Sequence, residues 1–126
     1  MIDRQLEKNF QNTFVTATTV RSQLITVEAL LLELLSNDRV SRVLAYFGCS
    51  KSQLKRNLEE FIDTKVPKLA TLKEDPQPSV GFQRVIERAL VHVQQSGRKD
   101  QDLHGEDVLG SIFDEPDSWA VAYLTE

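Results

Sequence analysis

Apolar positions recur every three or four residues through most of the chain, the spacing of amphipathic helices. Ile2, Leu6, Phe10, Phe14 and Ala17 form a first stripe, with Asp3, Glu7, Lys8 and Asn12 between them, and predict a helix over 2–17. Thr26 fits an N-cap for a second, in which Val27, Leu30, Leu31, Leu34 and Leu35 share a face and Ile25 and Leu30 are placed for a hydrophobic staple. Ala29 and Leu32 widen that stripe, so the second helix is expected to be the most buried. Asn37 or Asp38 can cap a third helix carrying Val40, Val43, Leu44 and Phe47, closed by Gly48 in a left-handed conformation. Ser50 and Gln53 have capping-box spacing ahead of a fourth helix, with Leu54, Leu58, Phe61 and Ile62 on one side.

Residues 65–79 change character, because Pro67, Pro76 and Pro78, three of the four prolines, remove backbone donors there and favour a connector. A fifth helix follows with Phe82, Val85, Ile86, Ala89, Leu90 and Val93 on its stripe and Gly97 beyond its end. A polar loop over 98–104 leads to a sixth, marked by Val108, Leu109, Ile112 and Phe113. Pro116 is acceptable in the first turn of a seventh helix running from Asp117 to about Thr125.

The two halves repeat each other. An offset of 72 places Phe10, Gln11, Phe14 and Ala17 on Phe82, Gln83, Ile86 and Ala89, and an offset of 78 places Glu28, Leu31, Leu34 and Val43 on Glu106, Leu109, Ile112 and Val121, with a six-residue insertion between. The expectation is one all-α domain over 1–126, free of strands: a first four-helix repeat (1–64), the connector (65–79) and a second repeat (80–126) that lacks its last helix, both packed around a shared core. The polypeptide is expected to continue beyond Glu126.

Composition narrows the function. Net charge is −4 with both signs scattered, which disfavours nucleic acid as a partner. No run approaches the roughly 18 apolar residues of a membrane span, and the charged start MIDRQLEKNFQ is unlike a signal peptide, so a soluble, cytoplasmic monomer is expected. Cys49 is the single cysteine. It is read as a buried small hydrophobe. There is no G-x-x-x-x-G-K-[ST] loop for nucleotide phosphates. His92 reads as a helix-surface residue and His104 as a loop or cap residue, with no metal site between them. Glu59 and Glu60 diverge on their helix and cannot act as a facing acid–base pair. Asp114, Glu115 and Asp117 read as charges suited to the start of the seventh helix, and Trp119 and Tyr123 as core. Glu28 reads as an exposed carboxylate at the start of the second helix, where it favours the dipole.

TVEALLLELLSN (Thr26–Asn37) resembles the T-x-E-H-L-L-L-x-L-L signature of Clp N-terminal repeats, and FQRVIERALVHVQQSGR (Phe82–Arg98) resembles the opening helix of the second repeat in ClpA-type proteins. LEEFID (Leu58–Asp63) and the proline-bearing connector extend the likeness over essentially the whole chain. The sequence departs from the family pattern at Ala29, where a histidine is usual, at His104 for a threonine, and at Gln23 for an acidic residue. The resemblance implies a non-catalytic domain of a ring-forming ATPase. That domain docks a ClpS-type adaptor and engages unfolded or tagged substrates for the ClpP peptidase. It further implies partner-contact roles for Glu28, Ser79 and Gln23. ATP and Mg would belong to other domains of the full-length protein. The competing reading is a stand-alone helical module that binds a protein or peptide without any ATPase.

Overall fold

The first N–H groups of a helix have no intrahelical acceptor, and in this chain short polar side chains supply one. The computed structural model describes residues 2–69, 74–115 and 118–125. Its elements are α1 (Arg4–Thr19), β1 (Leu24–Ile25), α2 (Val27–Leu34), α3 (Asp38–Tyr46), α4 (Lys51–Lys65), β2 (Gln77–Pro78), α5 (Val80–Gln95), α6 (Gly105–Phe113) and α7 (Trp119–Leu124). Asp3, Thr26, Asn37, Ser50, Ser79 and Ser118 each accept a hydrogen bond from an N–H of the helix they open. Gln53 gives only half of the expected capping box: its N–H donates to Ser50 Oγ, while its side-chain amide turns to Asn57.

The leucine-rich α2 and its counterpart α6 lie at the centre. Leu30, Leu31, Leu34, Val108 and Ile112 are fully buried. α1 and α4 pack on α2, α5 packs on α6, and each unit's third helix crosses to the other unit, α3 onto α6 and α7 onto α2 and α4. The first crossing is close: a Cβ at Gly105 would stand 2.6 Å from Asn37 Oδ1, so only glycine lets the start of α6 meet the cap of α3. Asn37 is fully buried there and donates to Asn9 Oδ1 at 2.8 Å.

The strand-free expectation is corrected by a two-residue parallel pair, Leu24 with Gln77 and Ile25 with Pro78. Proline fits because the donors are its neighbours. Gln77 N–H donates to Gln23 O at 3.1 Å and Ser79 N–H to Ile25 O at 2.9 Å, so position 78 needs none. Gln77 and Pro78 of the connector thus pair with β1, and Ser22 and Lys68 add an antiparallel bridge.

The register of the repeat is corrected as well. Caps Asp3 and Ser79 correspond. The buried sets Leu6, Asn9, Thr13, Ala17 and Phe82, Val85, Ala89, Val93 then fall in step, and Arg21 (φ 57°) meets Gly97 (φ 71°) in the left-handed region. Helix α1 therefore maps on α5 four residues later than the pattern suggested. A four-residue slide is close to one helical turn and leaves an apolar stripe almost in place. Ile2, paired in parallel with Leu103, then corresponds to Pro78, paired with Ile25.

Three stripe aromatics are exposed rather than buried. Phe14 (41%) lies one position off the buried face, which Asn9 and Thr13 complete; Phe47 (73%) sits past the last turn of α3, edge-on to Tyr46; Phe113 (44%) ends α6. Helix α7 opens at Trp119 behind the Ser118 cap. Pro116 and Asp117, expected in its first turn, lie outside the described residues.

Leu31→Ala and Leu109→Ala should each cost about 2–5 kcal/mol, since both side chains are enclosed by core. Because the third helices are exchanged between units, both substitutions should shift one common calorimetric transition; two separated transitions would show independent units.

Candidate docking surface

Gln23 precedes β1 and Ser79 follows β2, so the parallel register, Leu24 with Gln77 and Ile25 with Pro78, puts them at opposite ends of the strand pair. The Gln23 backbone donates to Pro67 O at 2.7 Å and its carbonyl accepts from Gln77 N–H, while Ser79 N–H is fixed on Ile25 O. Ser79 Oγ also accepts from Phe82 N–H at 3.1 Å as the α5 cap, which leaves its hydroxyl proton able to donate outward. Gln23 is exposed and Ser79 half-buried. Each has an exposed aliphatic side chain next to it in sequence, Leu24 (38%) after Gln23 and Val80 (66%) after Ser79. The result is a polar and an exposed aliphatic residue at each end of the strand pair, on hydrogen-bonded backbone, which together form the candidate patch.

Glu28 does not join that patch. The expectation of an exposed helix-start carboxylate is corrected: Glu28 is 6% exposed, and its Oε2 accepts from Ser118 Oγ at 2.7 Å and from Ala120 N–H at 3.1 Å. The N-terminus of α7 presents unsatisfied N–H groups and positive dipole, and Glu28 supplies the acceptor and the charge. The partners lie 90 and 92 residues away, beyond the reach of any local pattern. The corresponding Glu106 also reaches the other unit's third helix, through Arg39 at 2.9 Å, in a more exposed setting.

Glu115, expected to serve the start of α7, instead turns to α5. It is 3% exposed and pairs with Arg84 and with Arg88, the latter at 3.4 Å. The Arg84 hydrogen bond leads in holding its carboxyl below the usual range, against the opposing effect of burial, and Arg88 adds to it. Asp107 receives a forked Arg98 guanidinium at 2.7 and 3.0 Å. Burial acts to raise its pKa, but the bonds from Arg98 and from His104 N–H outweigh burial and leave it lowered.

A groove of about 750 Å³ opens between α3, α4, α6 and α7. Val43, Phe47, Cys49, Leu54, Leu109 and Phe113 line it, so half-buried Cys49 is a groove wall rather than core. Ser50, Gln53 and Leu54 bring it to the first turn of α4, whereas Pro67, just past α4, holds Gln23. At 1.5 Å per residue the helix separates the two surfaces by roughly 20 Å. Trp119 is also half-exposed rather than core, stacked near Phe61 and Tyr123 with Lys65 Nζ 5.0 Å from its ring centroid. His92 lies on the exposed face of α5. Among the described residues no group of three or more His, Cys, Asp or Glu is placed to hold a metal, and no helix is long and apolar enough to cross a membrane.

Among the described residues, seven helices packed around one buried core, with two short parallel pairings between the units, define an all-α domain. The sequence profile of the Clp repeat (R) N-terminal domain matches residues 1–126, and the chain belongs to that family. It is similar to a ClpA homolog protein of Fuscovulum blasticum, 37% identical over 123 residues; the match covers 96% of this chain and 15% of that protein's length. The fold is shared with the Hsp104 N-terminal domain from Candida albicans (TM-score 0.83, 13% identity, 98% of this chain and 79% of that one). It is also shared with a ClpV N-domain solved in complex with a VipB peptide (TM-score 0.80, 16% identity, 98% and 76%).

Glu28→Ala should cost about 1.5–3 kcal/mol, the range for hydrogen bonds to a charged group. Trp119, the single tryptophan, lies in α7 and reports the loss by fluorescence in a denaturant titration. An unchanged midpoint would show that the carboxylate does not hold α7.

Proposed function

We propose that this chain is the non-catalytic docking domain of an ATP-dependent protein unfoldase, receiving a ClpS-type adaptor and unfolded or tagged substrates that pass to the ClpP peptidase. Family membership supports the setting. The observation that carries docking is the exposure of Leu24 and Val80, each next in sequence to a contact position, Gln23 and Ser79, at the two ends of a strand pair whose backbone is already hydrogen-bonded. Preorganised aliphatic contact with adjacent donors suits a folded partner, because little side-chain ordering is left to oppose binding. Glu28, by resemblance a contact residue, acts in this reading from beneath the surface by seating α7. ATP and Mg belong to other domains of the full-length protein, which works in the cytoplasm; the isolated domain is a monomer.

A second reading is a stand-alone helical module that takes a peptide in its groove. The open apolar groove favours it, and a ClpV N-domain of the same fold is known in complex with a peptide.

Fluorescence anisotropy with a labelled ClpS-type adaptor separates the two. Val80→Asp should weaken adaptor binding about tenfold or more without lowering the melting temperature, since a carboxylate would be desolvated at the contact. Glu59→Lys, an exposed charge change on α4, serves as control. Equal affinities for wild type and Val80→Asp would remove the patch from the docking surface, and loss of binding on Phe47→Asp alone would favour the groove.

A further inference from the structure

His104 opens α6 at a place where the first unit has Thr26, and its ring is held from both sides. Nδ1 lies 2.6 Å from Asp3 Oδ2 and Nε2 lies 2.5 Å from Asp100 Oδ2. A neutral imidazole carries one N–H and one lone pair, and an ionised carboxylate carries only lone pairs. The neutral ring would therefore set a lone pair against one of the two carboxylates, whereas the imidazolium donates to both. The side chain is only 8% exposed, with Asp3 at 18% and Asp100 at 53%.

Each partner belongs to a different segment. Asp3 caps α1 through its other oxygen, which accepts from Leu6 N–H at 2.7 Å, and its own N–H donates to Leu103 O at 2.9 Å. Asp100 sits in the polar loop, where Oδ1 accepts from Asp102 N–H at 2.8 Å. Asp107, one turn into α6, accepts from His104 N–H at 2.9 Å. The remaining charged neighbours are Arg98 on the loop, Glu106 on α6 and Arg39 on α3. The first two pair with Asp107 and Arg39 respectively, and the Arg39 charge opposes the imidazolium.

We propose that His104 is a proton-dependent latch: as the imidazolium it ties the start of α1 and the 98–103 loop to the start of α6, and on deprotonation it releases the segment ahead of α1. The latch rests on this geometry alone and is independent of the docking role. Burial by itself pushes the ring's pKa down; the hydrogen bonds of Asp100 and Asp3 outweigh burial, so it lies above the ordinary 6.5. Asp100 is held below the usual carboxylate range, first by its bond to the ring, and so stays ionised as the ring titrates. A raised folded-state pKa fixes the sign: the latch's contribution is fully present below about 6.5 and is lost as pH rises through the folded value.

The test follows the ring and the backbone together by NMR between pH 5.5 and about 9, the limits bracketing ordinary and raised histidine values. The His104 ring should titrate above 6.5, and amide protection at Asp3 and Leu6, corrected for intrinsic exchange, should fall about tenfold for each unit by which its pKa is raised. Asp100→Asn, on an exposed side chain, should lower the ring's pKa and the protection together below the transition. His104→Thr, which installs the first unit's cap residue, should make protection independent of pH. A ring that titrates at or below 6.5, protection that ignores the ring's titration, or the same pH dependence in either variant would overturn the latch.

Discussion

Two short parallel pairings hold the units in each other's frame. Ile25, ahead of α2, pairs with Pro78, ahead of α5; Leu103, ahead of α6, pairs with Ile2, ahead of α1. Each buried central helix is thus entered from a backbone hydrogen-bonded to the chain that starts a flanking helix. Backbone bonds of this kind fix where a helix begins to within one residue, which apolar packing alone does not, since it is non-directional. Once the starts are set, α2 and α6 can be short, with their apolar stripes buried in one shared core, and the third helices can cross to the opposite unit.

Charge completes what the pairings begin. Glu28 supplies acceptors to the start of α7, Glu115 gathers Arg84 and Arg88 of α5, and Asp107 closes the α6 cap while holding Arg98. All three carboxylates are largely buried and hydrogen-bonded, so each is costly to strip of its partners but need not outweigh a well-packed apolar alternative. Their value lies in direction. A carboxylate at a helix start specifies which helix end it meets, and this keeps α7 on α2 instead of elsewhere on an apolar surface. The exposed chemistry is left to residues with no such duty, above all Leu24, Val80, Tyr46 and Phe47.

Helix existence and most caps were legible in the sequence because both are local. Thr26, Asn37 and Ser50 announce helix starts within three residues of the amides they serve, and Gly48 ends α3 with φ 73°, whereas the Ser79 cap of α5 was not read from the sequence. The register of the first repeat helix was not legible, because apolar stripes survive a four-residue slide and only the pairing of Asp3 with Ser79 and of Arg21 with Gly97 resolves it. Contacts spanning 90 residues or more were out of reach: the inward turn of Glu28 and the ring of His104 between Asp3 and Asp100 both depend on crossings between units. Gln23 and Ser79 were placed only by resemblance, and no apolar stripe marked the exposed Leu24 and Val80 that follow them, because the prolines concealed the strand pair.

The crossed third helices should make the two units one cooperative body. Native-state hydrogen exchange tests it most directly, by following the amides of Leu34 in α2 and Ile112 in α6 as denaturant is raised within the folded baseline. The crossed arrangement predicts that both amides, fully buried in the same core, converge on one opening free energy with one denaturant slope, that of global unfolding. If α6 opens at a distinctly lower free energy, with a smaller slope, while α2 stays protected, the second unit unfolds by itself and the crossing does not couple the halves.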